Sequence, residues 1–140
     1  MKKSFGKMVA LLIVAALIVV SVATVSFFRE HKIVLVETGS MKPTISEQQF
    51  VIVEKYHSQV VKVGEVIMFK HNGGNVIHRV VERKADGTGV IIDTEYTYIT
   101  KGDNNEEKDT YGVTSDQIVG VVKQVVKKDG IVDKILSFLN

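Results

Sequence analysis

A chain of 140 residues without a cysteine has room for one folded domain and little else, and it excludes disulfides, thiolate nucleophiles and cysteine-based zinc sites together. The formal net charge of +2 is unevenly spread: Lys2, Lys3, Lys7, Arg29 and Lys32 face only Glu30 within residues 1–32, so residues 33–140 hold 13 basic and 15 acidic groups. A nucleic-acid binder concentrates basic charge on its folded part, and nucleic acid is excluded as a partner here because the positive charge flanks an apolar segment instead.

The predicted elements begin with a short basic tail, residues 1–7, ahead of residues 8–28, a run of 21 without a charge. A helix of that length spans about 30 Å, the hydrocarbon thickness of a bilayer. Thirteen of these residues are Ile, Leu, Val or Phe. Each favours insertion by roughly 0.3 to 0.6 kcal/mol at central positions, so the lipid bilayer is the expected partner of this single-pass anchor. Three lysines precede the span, which predicts a cytoplasmic N-terminus and an extracytoplasmic domain on a cell membrane; Arg29 and Lys32 beyond it weaken that bias. Ser21-Val22-Ala23 offers a competing reading, the small residues before the cleavage point of a secretory signal. Against it, the apolar run continues through Phe28, too far for the apolar core of a typical signal.

From residue 33 the texture turns to β. Runs rich in Val and Ile at 33–38, 50–55, 65–70, 76–82, 90–100 and 118–126 alternate with breaks at Gly64, 71–75, 86–89 and 101–107. The break Asn72-Gly73-Gly74-Asn75 predicts a hairpin with positive-φ residues. Such spacing predicts a mainly β domain over 33–126, a small curved antiparallel sheet or barrel. Residues 127–140 differ: Ile131, Val132, Ile135, Leu136 and Leu139 share a helical face opposite Asp133, Lys134 and Ser137. An amphipathic helix is expected there, packed on the domain, lying on the bilayer or opening a second span.

Three short segments hold residues that could carry chemistry. In Thr38-Gly39-Ser40-Met41-Lys42-Pro43-Thr44, Gly39 allows close backbone approach or positive φ, and Pro43 fixes its own φ and biases Lys42 toward extended geometry. The result is a rigid turn presenting the Ser40 hydroxyl and N–H in one direction, with the Thr38 hydroxyl as a second donor; two donors make an oxyanion hole. Taken alone, a Gly-Ser turn after a strand is ordinary loop chemistry.

Of four histidines, His31 flanks the apolar span, and His57 and His71 sit in polar breaks; each of these three is expected at the surface. His78 lies within a predicted strand whose alternation puts Val76, His78 and Val80 on one face, and Ile77, Arg79 and Val81 on the other. A half-buried histidine satisfied by a carbonyl is the plain reading; a general base near neutral pH is the functional one. The segment 101–109 carries Asp103, Glu106, Glu107 and Asp109, but a calcium loop starting at Asp103 requires Gly and Glu where Lys108 and Thr114 stand, so no metal site is predicted. An Asx-rich turn remains, or a carboxylate that orients a histidine.

The order of these segments is more specific than any one of them. With the Ser40 turn followed by Val63-Gly64-Glu65-Val66-Ile67-Met68-Phe69, Ile77-His78-Arg79-Val80-Val81 and Lys101-Gly102-Asp103-Asn104-Asn105, residues 9–125 resemble signal peptidase I. The closer resemblance is to its Ser/His branch, shared by endoplasmic-reticulum, archaeal and sporulation-type Gram-positive enzymes. The family's Ser-Gly-Ser-Met-x-Pro-Thr motif is matched at 38–44, with Thr38 for the first Ser. Where the common bacterial branch has a lysine base, this chain has His78. Asp103 and Asp109 fit the branch's Gly-Asp-Asn motif and the second Asp after it, while Lys108 replaces the first member of an acidic doublet.

The resemblance implies a membrane-bound serine endopeptidase that removes signal peptides from exported preproteins, with Ser40 as nucleophile, His78 as base, Asp109 as triad member and Asp103 in support. It implies a β-rich fold, no cofactor, and preproteins as partners, and it leaves accessory membrane subunits unspecified. Substrate is expected to bind extended along an exposed strand edge, 33–38 or the strand of His78, with shallow apolar pockets for small side chains at −1 and −3. The rival is a catalytically silent, membrane-tethered β domain that binds or scaffolds surface proteins. It needs no alignment of Ser40 with His78, so an Oγ-to-imidazole distance within about 4 Å favours the enzyme.

Overall fold

The computed structural model describes residues 2–86 and 95–126, and the expected helix within 127–140 and the start of the predicted 90–100 strand lie outside them. The chain divides between Lys32 and Ile33 into two compact units. In the first, α1 (Lys2–Glu30) runs for 29 residues, through the basic tail as well as the apolar run. Its stretch Phe5–Glu30 has a mean hydropathy of 3.0 and is long and apolar enough to cross a membrane. Apolar side chains occupy every side of it rather than one stripe, which suits lipid better than a domain core. Its polar side chains are satisfied locally: the Ser21 and Thr24 hydroxyls donate to the Leu17 and Val20 carbonyls at 2.8 and 2.7 Å.

Strands β1 (His31–Leu35), β2 (Phe50–Lys55), β3 (Val66–His71), β4 (Gly74–Asp86), β5 (Glu95–Lys101), β6 (Gly112–Val113) and β7 (Ile118–Val126) form one mainly antiparallel sheet in the order β1-β2-β7-β3-β4-β5-β6. The mainly β class read from the sequence is what the structure has. The β3–β4 hairpin closes on two residues, Asn72 and Gly73, at φ 49° and 80°, between the paired His71 and Gly74. Two consecutive left-handed residues match the sheet's twist, and Asn-Gly is the pair that adopts them most cheaply.

β3 lies between β7 and β4, and Val66, Ile67, Met68 and Phe69 are all buried. A strand covered on both faces reads as a continuous apolar run rather than an alternating one. Ile67 and Phe69 join Val61, Val80, Tyr98, Val113, Ile118 and Val121 in one core. Val66 and Met68 face a second, with Val36, Met41, Ile45, Val51 and Val53. Each such side chain contributes roughly 1.5–3 kcal/mol of burial, so the sheet is held from both sides. The pairing slips between Ile52 and Val53 against β7, between Met68 and Phe69 against β7, and between Val80 and Glu82 against β5. Bulges of this kind bend strands and raise local twist.

Candidate active site

Past the end of β1, the Val36 N–H donates to the Gln49 carbonyl at 2.9 Å and the Val36 carbonyl accepts the Gln48 N–H at 2.8 Å. The chain then turns through residues 38–46. The Lys42 N–H reaches the Gly39 carbonyl at 3.1 Å, the Ile45 N–H reaches the Met41 carbonyl at 2.9 Å, and the Lys42–Pro43 bond is cis. Met41 and Ile45 are each only 1% exposed and anchor the turn in the second core, which leaves Ser40 between them and the strand end. Gly39 is not among the described glycines with positive φ. A Cβ there would stand 2.6 Å from Glu47 Oε1, the far end of a flexible, exposed side chain that can swing aside.

His78 sits on β4 opposite Ile67, on the face it shares with Val76 and Val80, and is 7% exposed. The Phe69 ring meets it edge-on, 6.4 Å between centroids. Its Nε2 lies 3.2 Å from Ser40 Oγ and its Nδ1 lies 2.7 Å from Asp109 Oδ2. An ionised carboxylate can only accept, so Nδ1 carries the proton and the Nε2 lone pair faces the Ser40 hydroxyl. Asp109 is itself held by Thr100. The Asp109 N–H donates to the Thr100 carbonyl at 2.8 Å, and the Thr100 hydroxyl donates to Oδ2 at 2.6 Å.

Asp103 takes a different partner. Arg79 binds it in a two-pronged pair, Nε to Oδ1 at 2.8 Å and Nη2 to Oδ2 at 2.6 Å. The same guanidinium donates through Nη1 to the Gly64 carbonyl at 2.7 Å and approaches Thr44 Oγ1 at 3.5 Å. The guanidinium holds the Asp103 carboxyl below its ordinary range, aided by Thr44 and opposed by partial burial, and the pair raises Arg79 in turn. The loop after β5 also grips the serine turn, since the Asn104 N–H donates to the Ser40 carbonyl at 2.8 Å. Lys108, the residue that departs from the acidic doublet, reaches back to Glu82 Oε2 at 2.9 Å and lowers that carboxyl.

The Thr38 hydroxyl lies 3.4 Å from Ser40 Oγ. Both open onto a groove of about 630 Å³ between residues 34–38 on one wall and 75–78 on the other, with Met68, Asn105 and Tyr111 also lining it. The β4–β5 ladder begins only at Arg79, so the stretch 75–78 borders the groove without a β5 partner.

The structure thus brings Ser40, His78 and Asp109 into one hydrogen-bonded chain, places Thr38 beside them, and sets Asp103 on Arg79. The other histidines stay out of this chain. His57 is exposed, whereas His31, expected at the surface, is half-buried with its ring stacked on Phe27. His71, expected at the surface, is instead half-buried, with its ring stacked 3.7 Å from that of Tyr111. Among the described residues no cluster of three or more His, Asp or Glu could hold a metal. Sequence reasoning gave no role to Thr100, Arg79, Asn105 or Tyr111. For Thr100 the available signal was its place at a strand end just before Lys101-Gly102-Asp103, and for Arg79 it was strand alternation beside His78.

A family model described as signal peptidase, peptidase S26, matches residues 6–127. The Homo sapiens signal peptidase complex catalytic subunit SEC11C is 32% identical over 82 residues, covering 57% of this chain and 40% of its own length. The Colletotrichum graminicola subunit SEC11 is 31% identical over 97 residues, covering 67% of this chain and 53% of its own. The chain therefore spans about two-fifths to one-half of the length of these relatives. The family match takes in the serine turn, the histidine strand and the aspartate loop alike, and the protein belongs to the signal peptidase family, peptidase S26.

Proposed function

We propose that this peptidase is a membrane-anchored serine endopeptidase of the Ser-His-Asp type that removes signal peptides from exported preproteins. The observation that carries the reading is the chain Asp109 Oδ2–His78 Nδ1 at 2.7 Å and His78 Nε2–Ser40 Oγ at 3.2 Å, opening on a groove. A scaffold domain needs no such alignment. Ser40 Oγ attacks the scissile carbonyl while His78 Nε2 takes its proton, and Asp109 holds the ring and stabilises the imidazolium. The oxyanion is received by the Ser40 N–H and the Thr38 hydroxyl, the latter 3.4 Å from Ser40 Oγ. His78 then protonates the leaving amine and activates water for deacylation.

The groove supports an extended substrate. One wall continues from β1 and the other is the free stretch of β4, so a peptide laid between them can take main-chain hydrogen bonds while alternate side chains enter the apolar lining. In this reading α1 is the anchor, with its basic end cytoplasmic and the peptidase domain extracytoplasmic on a cell membrane. Confining enzyme and preprotein to one membrane raises their effective concentration, so a short recognition motif suffices. The relatives' names are those of subunits of a complex, which supports accessory membrane subunits as partners.

The test is cleavage of a signal-peptide-bearing preprotein in detergent by the wild-type and Ser40→Ala chains. Loss of one hydroxyl costs the fold little, and cleavage should vanish. Residual turnover above a few per cent of wild type would remove Ser40 as the nucleophile.

A further inference from the structure

Thr100 lies on β5 opposite Val80 and has no exposed surface. In a site of that kind valine has the same shape and no hydroxyl to desolvate, so a buried threonine calls for a specific partner. Its partner is Asp109, and the contact is double. The Thr100 hydroxyl donates to Oδ2 at 2.6 Å and the Thr100 carbonyl accepts the Asp109 N–H at 2.8 Å. The same Oδ2 receives His78 Nδ1 at 2.7 Å.

We infer that Thr100 is a positioning residue of the triad, whose hydroxyl fixes the rotation of the Asp109 carboxylate and so aims the His78 ring at Ser40. The inference rests on the Ser-His-Asp reading above. A carboxylate on a loop can turn about its last torsion and offer either oxygen to an imidazole, so one bond to His78 leaves the ring's direction loosely set. A second donor from a stiff, β-branched side chain within the sheet removes that freedom. The Asp109 side chain is only 9% exposed, so little water is at hand to replace the donor. The backbone bond from the same residue holds the loop at the height this geometry needs. Thr100 does not itself line the groove, and its hydroxyl reaches the site through Asp109.

The experiment measures kcat and KM per folded molecule for Thr100→Val and Thr100→Ser in the full chain, in detergent with a preprotein substrate. Thr100→Val should lower kcat about tenfold or more with KM unchanged, the effect of one hydrogen bond to a charged group. Thr100→Ser, which keeps the hydroxyl, should recover to within about twofold. In an Asp109→Asn background the valine change should cost less than about twofold further, because residues that act as a unit are not additive. A Thr100→Val enzyme within twofold of wild type overturns the inference. So does a Thr100→Ser enzyme that falls as far as the valine variant, or a full tenfold loss persisting with Asn at 109. Should Thr100→Val fail to fold, Thr100→Ala is read in its place by the same criteria. Ser40→Ala separates the two levels: if it still cleaves, the triad reading itself fails, whereas an inert Ser40→Ala beside an unimpaired Thr100→Val removes only the role of Thr100.

Discussion

His78 and Arg79 are neighbours on β4 that leave the strand on opposite faces, and each takes its own aspartate from the loop that follows β5. His78 Nδ1 meets Asp109 at 2.7 Å and Arg79 Nη2 meets Asp103 at 2.6 Å. A single strand therefore locks the loop at two points six residues apart. The same loop donates to the Ser40 carbonyl through Asn104, so serine turn, histidine strand and aspartate loop form one closed circuit. Chemistry is proposed for only one of the two carboxylates, and the two can be told apart by experiment.

Asp109→Asn keeps the size of the side chain and removes its charge, which favours the wrong imidazole tautomer in a Ser-His-Asp site. Turnover per folded molecule should fall by about 10⁴. Asp103→Asn breaks the two-pronged pair with Arg79, and its main effect should be on stability, about 1–3 kcal/mol for a partly exposed charged bond. Comparing kcat with the thermal midpoint for both variants tests the assignment. Loss of turnover without loss of stability in Asp103→Asn would reverse the roles, and a drop under tenfold in both would leave a Ser-His dyad.

The Asp103–Arg79 pair also sets a pH dependence. Its carboxyl is depressed below the ordinary value of 3.8. A depressed carboxyl stabilises the fold above the unfolded-state value, and this contribution drains away as pH falls through the folded-state value. Stability should therefore be flat for this group at neutral pH and decline below about pH 4. Arg79, raised above its ordinary value by the hydrogen bond to Asp103, titrates too high to contribute a change in the working range. Denaturant midpoints measured down the acid range should fall less steeply for Asp103→Asn than for wild type. Parallel acid limbs would show that the pair stores no pH-dependent stability.

His78→Lys tests the choice of base. A lysine acts as a base only when a dry, apolar pocket drives its pKa far down. Beside the Asp109 carboxylate an ammonium would instead be held charged. The variant should fold and be inactive from neutral pH to about pH 9, since an ammonium paired with a carboxylate keeps its proton there. Activity near the wild-type level would mean that the site accepts either base.

Much of this site was legible because strand alternation is rigid where pairing is regular. Between Gly74 and Val80 it correctly set His78 beside Val76 and Val80, away from Arg79. It fails at bulges: in β7 the slips against β2 and β3 break the alternation, so Ile118 and Val121 share one core while Val119, Val122 and Val125 pack on the other. β1 ends at Leu35 rather than at Thr38, because Val36 already bonds across to residues 48 and 49 instead of continuing the ladder. Thr100 was illegible for another reason. A threonine in a β run is good strand chemistry in its own right, and only the fold shows that its hydroxyl is buried against a carboxylate.

Thr38→Val removes a donor while keeping the shape of the side chain. With Thr38 Oγ1 only 3.4 Å from Ser40 Oγ, the hydroxyl is near enough to serve the oxyanion of the proposed mechanism. Losing one such donor costs about 10²–10³ in kcat, and KM should hardly change because the charge exists only in the transition state. A rate within threefold of wild type would move the second donor elsewhere, and Asn105, which also lines the groove, is then the next residue to replace.

Gly102→Ala probes whether the loop must approach the backbone of Ser40 as closely as it does. A Cβ at residue 102 would lie 2.7 Å from the Ser40 carbonyl oxygen and 2.8 Å from Asn105 Nδ2. The amide can swing away, but the carbonyl belongs to the turn that carries Ser40 and already accepts the Asn104 N–H. Gly102 is not among the described glycines with positive φ, so the cost is one of contact rather than of backbone conformation. Relief requires the turn and the loop to part, which lengthens the reach from Ser40 Oγ to His78. The expected result is a stability loss of about 1–3 kcal/mol from overpacking. Turnover should fall by about 10²-fold from a displacement approaching 1 Å. Gly73→Ala is the matched control: nothing lies within 4 Å of its Cβ, but its φ of 80° strains any other residue. It should lose about 1–2 kcal/mol of stability and no turnover per folded molecule. Equal turnover in the two variants would show that the approach of residue 102 to Ser40 has no part in aligning the site.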